Sequence, residues 1–212
     1  MVAHDLRNPL NVISMQAQIL RRHEGAGSEP GAVDTIRRAV ACMNKLIQDL
    51  LDVARLDAGQ PLSVKRLAAA PAALLTEMAD QVRDWLTASR HTLHLDVAAG
   101  LPEVWADRAR VAQVLDNLLA NAVKFSPPDT RIELAARLRD GEVLFSVSNE
   151  SKGIPAEVVP HVFDRFWQGE AGDRRGAGLG LSIARELVEA HGGHIWVDPG
   201  PPLTTFFFTL PR

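Results

Sequence analysis

The chain has 212 residues, enough for one or two domains, and sets 23 Lys+Arg against 26 Asp+Glu for a formal net charge of −3. So near-neutral a balance does not suggest a nucleic-acid binder held by bulk charge. The single cysteine, Cys42, excludes an intrachain disulfide and fits a reducing, cytoplasmic compartment. There is no Tyr, which removes one general acid and weakens a carbohydrate-cleft reading. The longest apolar stretch, Leu67–Leu75, is too short to span a membrane and contains Pro71. The start, Met1-Val2-Ala3-His4-Asp5, has no apolar core behind a basic end, so no signal peptide and a soluble chain are expected.

Two helical patterns come first. Leu6, Leu10, Ile13, Ala17 and Leu20 alternate spacings of four and three, and so do Val33, Ile36, Val40, Met43, Ile47, Leu50 and Ala54. These are heptad seams. Between them, Glu24-Gly25-Ala26-Gly27-Ser28-Glu29-Pro30-Gly31 is rich in turn and helix-start residues. The spacing predicts a helical hairpin over about residues 2–24 and 31–57. One hairpin with a continuous seam cannot cover its apolar faces, so two copies related by a twofold axis are expected to form a four-helix bundle. The alternative is a hairpin packed on its own second domain.

Gly59-Gln60-Pro61 breaks the second helix. Beyond it, strands are predicted at Leu62–Leu67 and His91–Val97, flanking a helix near Pro71–Ser89. A helix follows at about Arg108–Lys124. A strand pair at Ile132–Leu138 and Val143–Ser148 turns at Asp140-Gly141. A last helix runs from about Leu179 to Ala190, and strands close the chain at Ile195–Asp198 and Thr204–Leu210. This order is not βαβαβ and favours a mixed sheet covered on one face by helices. The expected organisation is 1–58 as a helical domain, 59–62 as a linker and 63–212 as an α/β domain.

Three strings carry chemistry. In His4-Asp5-Leu6-Arg7-Asn8-Pro9-Leu10 the seam places His4 on the outer side of the helix. Asp5 can orient the ring and raise its basicity, and Asn8 lies one turn on. Pro9, lacking an N–H, loosens the helix just past the histidine. Alone, such a histidine reads as a surface residue. In the second string, Gln113 to Ser126, residues Asn117, Asn121 and Lys124 recur at i, i+4 and i+7 and share one helix face. Two amides and a lysine suit a triphosphate and Mg²⁺, because an amide oxygen is a hard ligand and Lys a point charge. A solvated helix face is the alternative. In the third, Arg175-Gly176-Ala177-Gly178-Leu179-Gly180-Leu181, three glycines at every second position precede an amphipathic helix. Such a turn lets backbone N–H groups approach phosphate at a helix N-terminus. It is not a Walker loop, since no Gly-Lys-Ser/Thr follows, and it does not follow a strand as a dinucleotide fingerprint should.

Together, and in this order, the strings resemble the catalytic core of bacterial sensor histidine kinases, including photosensor-linked relatives. The His4 string resembles their phosphoacceptor box, the second their Asn box, and the third their second glycine box. Phe163-Asp164-Arg165-Phe166 resembles their Phe box. The resemblance implies a dimerising phosphotransfer domain and an α/β-sandwich (Bergerat-type) ATPase domain. It implies transfer of the γ-phosphoryl of Mg-ATP to His4, with Asp5 as basic partner. Asn121 would hold Mg²⁺, with Asn117 and Lys124 near the phosphates. Gly176, Gly178, Leu179, Gly180 and Leu181 would cradle them. Phe163 and Phe166 would anchor a lid at about Trp167–Ala177, in which Arg174 and Arg175 read as solvated arginines. The phosphoryl group would pass to an aspartate of a response-regulator receiver domain, and Asn8 suggests the reverse hydrolysis. An upstream sensor module in a longer parent protein is also implied.

The pattern departs at two places. Aligned on Gly153-Ile154-Pro155, Asn149 stands for the adenine-binding Asp and Ser151 for a Gly. The Asn149 oxygen can accept from the adenine amino group but lacks the charge, and Ser151 adds a side chain where backbone approach or φ > 0 is expected. The terminal box keeps Thr204, the Phe alternation and the Leu-Pro end, but has Pro201 and Leu203 where glycines are expected. Two rivals follow: a pseudokinase scaffold or response-regulator phosphatase with impaired ATP use, and a gyrase-like or chaperone-like clamp, against which the His4 box speaks.

Overall fold

The computed structural model describes residues 10–17, 32–167 and 178–212. The chain divides between Gln60 and Pro61 into two compact units, one holding the N-terminal helices and the other Pro61–Trp167 with Gly180–Arg212.

In the first unit, residues 10–17 are helical (α1), and Ala32–Asp57 forms the 26-residue α2. The hairpin turn at Gly25–Gly31 lies outside the described residues. Helix α2 stops at Gly59, whose φ of +70° no β-carbon-bearing residue adopts cheaply. Gly59 N–H donates to Leu56 O and Gln60 N–H to Arg55 O, the paired bonds of a Schellman end. Along α2, Ala39 and Val53 are buried, while Val33, Val40 and Ile47, seven residues apart, stay exposed.

The second unit is an α/β sandwich. Its sheet has the order β2-β4-β5-β7-β6, built from Thr92–Val97, Arg131–Arg139, Glu142–Glu150, Leu203–Leu210 and Ile195–Asp198. Only the β2/β4 pair is parallel, so the sheet is mixed, as the element order predicts. Helices α3 (Pro71–Ala88), α4 (Arg108–Phe125) and α5 (Gly180–Ala190) pack on it. Strand alternation sends Val143, Phe145 and Val147 of β5 and Phe206 and Phe208 of β7 into the core. Phe145 and Phe208, opposite one another in register, stack with ring centroids 4.8 Å apart. The alternate positions carry Trp196 stacked on Phe207 at 5.4 Å, with the Arg139 guanidinium 5.8 Å from the indole.

One predicted strand moves. The expected strand at Leu62–Leu67 is instead Leu67–Ala69 (β1), which pairs antiparallel with Val104–Ala106 (β3) in a separate two-stranded sheet. Three-residue strands are too short to show an alternating pattern, and β3 gives no sequence signal of its own. Leu62 is buried without belonging to a strand.

Candidate active site

Helix α4 begins at Asp107, whose Oδ1 accepts from the N–H groups of Ala109 (3.1 Å) and Arg110 (3.3 Å). Its Oδ2 accepts from Lys65 N–H at 2.9 Å. Burial alone would raise this carboxyl, but the three backbone donors hold it below the ordinary carboxylate range. The Asp107 N–H donates to His191 Nε2 (3.0 Å), so the His191 Nδ1–H donates to Leu187 O (2.7 Å). Both ring nitrogens are committed to one neutral tautomer, and burial foremost keeps the imidazole below its ordinary value. Arg66 Nη1 donates to His191 O at 3.3 Å. This cluster ties the start of α4 to the end of α5, the two helices that bear the candidate phosphate residues. Sequence reasoning did not single out either member. An Asp before a helical run is a capping signal that could have found Asp107.

Along α4 the polar stripe divides by depth. Asn117 is buried and its Nδ2 donates to Gly180 O at 2.9 Å, joining the Asn string to the first residue of α5. A β-carbon on Gly180 would lie 3.3 Å from Asn117 Cγ, so this close seat favours glycine. Asn121 and Lys124 are half-buried one and two turns farther along, and the Lys124 ammonium sits 4.8 Å from the Phe125 ring centre. Before α5, Gly178 has φ +71° and Leu179 is buried; Leu181 is half-buried in its first turn. Gly176 and the rest of the expected lid beyond Trp167 lie outside the described residues, as do His4, Asp5 and Asn8.

At the edge of β5 and β7, Asn149 faces Thr204 in register and both are buried. Asn149 Nδ2 donates to Ser126 Oγ at 3.0 Å and to Glu150 O at 3.1 Å. Ser151, where glycine was expected, does not take a left-handed backbone. Its hydroxyl lies 2.6 Å from Thr204 Oγ1 and accepts from Gly153 N–H at 2.9 Å, so the extra side chain bridges the loop to β7. Gly153 itself has φ +84°, and a β-carbon there would come within 2.8 Å of Pro199 O. The Pro199–Pro202 turn also accepts from Ile154 N–H and Ser151 N–H through Pro199 O and Pro202 O, both at 2.9 Å. The turn that contains Pro201 thus supplies acceptors to the loop opposite through its neighbours Pro199 and Pro202.

The Phe string splits. Phe163 meets Phe206 edge-on at 6.1 Å, half-buried. Phe166 is 48 % exposed with φ +60°, and the lid it is expected to anchor lies outside the described residues.

A helix face carrying two amides and a lysine, a glycine-started helix held against it, and a buried amide at a strand end are the features this α/β sandwich offers to a nucleotide. The comparisons agree. Residues 106–212 match the model of the Histidine kinase-, DNA gyrase B-, and HSP90-like ATPase family, and the chain belongs to that family. Residues 1–59 match the His Kinase A (phospho-acceptor) domain, so the chain is a sensor histidine kinase catalytic core with an ATP-binding domain. Over its whole length it is 34 % identical to the sensor protein DivL of Caulobacter vibrioides and 32 % identical to the adaptive-response sensory kinase SasA of a Nostoc species. It spans 27 % of the first and 56 % of the second. Full-length ShkA in complex with AMPPNP superposes with a TM-score of 0.73 at 27 % identity, over 98 % of this chain and 44 % of that one. Among the described residues no helix is long and apolar enough to cross a membrane.

Proposed function

We propose that this chain autophosphorylates His4 from Mg-ATP and passes the phosphoryl group to an aspartate of a response-regulator receiver domain. The observation that carries this reading is the Asn117–Gly180 contact, which unites the amide stripe of α4 with the glycine-started α5 in a chain whose first 59 residues match a phospho-acceptor domain. A ring nitrogen of His4 attacks the γ-phosphorus, the bond to the β–γ bridging oxygen breaks, and ADP leaves. Asp5, the basic partner, accepts the proton from the other ring nitrogen, so the phosphorylated ring ends neutral. Lys124 and the N–H groups at the start of α5 offset charge on the phosphate oxygens, and Asn121, half-buried on α4, would offer one oxygen to Mg²⁺. Bound there, Mg²⁺ would neutralise phosphate charge. Catalysis is then mainly positioning and charge neutralisation. Asn8, one turn beyond His4, would position water for hydrolysis of the regulator's aspartyl phosphate.

The working form is a homodimer in the cytoplasm. Exposed Val33, Val40 and Ile47 at seven-residue spacing support this, since a second copy would cover them. An upstream sensor module would control the core. The domain division follows the break at Gly59, with 1–58 for phosphotransfer and 63–212 for ATP binding. Labelled ATP tests the reading directly. Wild type is expected to acquire acid-labile, alkali-stable label, and His4→Ala none; equal label on both would refute it.

A further inference from the structure

We infer that Ser126 and the Glu150 carbonyl form a clamp that orients the Asn149 amide. The pocket is thereby built for asparagine, and reads the 6-amino edge of a purine through a neutral acceptor. This rests on the ATP reading above. Asn149 is 3 % exposed, held on β5 between Ile132 of β4 and Thr204 of β7. The Ser126 hydroxyl donates to Ala122 O at 2.6 Å, one turn back on α4. Its one hydrogen is thereby used, so toward Asn149 Nδ2 (3.0 Å) the oxygen can only accept. Glu150 O accepts from the same Nδ2 at 3.1 Å. Both amide hydrogens meet acceptors. The opposite rotamer would set Oδ1 against a carbonyl and a committed hydroxyl.

The clamp leaves Asn149 Oδ1 as the atom that no donor among the described residues engages. An oxygen acceptor there meets a donor on the base: the 6-amino group of adenine satisfies it and the 6-oxo group of hypoxanthine opposes it. A carboxylate at position 149 would fit worse. The oxygen standing in place of Nδ2 would face the Glu150 carbonyl, and it could gain a donor only by turning Ser126 away from Ala122. Ser126 is thus a positioning residue acting through Asn149.

Titration calorimetry on the whole chain with Mg-ATP and Mg-ITP tests this. Wild type is expected to favour ATP by about tenfold or more. Ser126→Ala should weaken ATP roughly three- to tenfold and narrow the ATP-to-ITP ratio, because the released amide can turn its N–H groups toward the 6-oxo group. Ser126→Thr, which keeps the hydroxyl, should restore both. Asn149→Asp should bind ATP more weakly than wild type. An unchanged ratio in Ser126→Ala, or tighter ATP binding by Asn149→Asp, overturns the clamp and leaves the ATP reading standing. Wild type that binds neither nucleotide overturns the ATP reading and the clamp with it.

Discussion

In the sandwich unit, Phe145, Phe208, Ile132 and Leu187 are wholly withdrawn from water, whereas on α2 Val40 and Ile47 keep 43 % and 45 % of their surface. Burying such a side chain contributes about 1.5–3 kcal/mol. The sandwich gains this within one chain. The helical unit leaves Val33, Val40 and Ile47 of its seam exposed. One unit owes its stability to internal fit, and the proposed dimer would make the other's depend on concentration.

The sharpest test of internal fit is Gly193→Ala. The added methyl would stand 1.9 Å from Thr209 O, a backbone atom that cannot step aside. A loss of about 3 kcal/mol or more is expected, read as a collapse of the thermal unfolding midpoint. The corresponding break in the helical unit is Ile47→Asp, which places a carboxylate on the exposed seam. Light scattering should show the mass fall from two chains to one. Nucleotide binding by the sandwich should stay within about twofold, since surface substitutions rarely cost more than about 0.5 kcal/mol. A dimer that survives would break the contrast between the units.

Smaller effects probe how the sandwich aligns its helices. Asp107→Ala removes the cap of α4 and the acceptor for Lys65 N–H, at about 1–2 kcal/mol. Chemical denaturation should report it. The neutral His191 has a pH signature. Its folded-state value lies below its ordinary 6.5, so the unfolded chain binds the proton first. Stability is full above about pH 6.5 and falls as acid is added toward the folded value, at up to about 1.4 kcal/mol per pH unit. His191→Gln should be less stable at neutral pH yet lack that slope. Asp107 acts in a lower window, because its depressed carboxyl contributes stability that is lost only below the ordinary 3.8. An identical slope in His191→Gln between pH 6.5 and 5 would assign the effect elsewhere.

Much of the fold was legible because its elements are long and periodic. Helix α2 matches its heptad run, and α4 matches the stripe of Asn117, Asn121 and Lys124. What misled was short: β1 and β3 have three residues each. At the candidate site, Ser151 and Pro201 looked like defects when judged against glycine boxes, and Pro201 lies in the Pro199–Pro202 turn. Ser151 and that turn instead each supply hydrogen bonds to the other side of one loop. A substitution can be compensated by a residue distant in sequence, and a local string cannot show that.

By itself the sequence determined the heptad seams, the amide stripe and the glycine run before α5, since each repeats within a turn or two of one element and periodicity records it. Tertiary structure alone decided that His191 meets Asp107 across 84 residues. It alone decided that Ser126 orients Asn149 across 23, and that Gly193 yields its side-chain space to β7. These contacts depend on which strand ends and helix termini the packed sandwich brings together, and no spacing along the chain encodes that meeting.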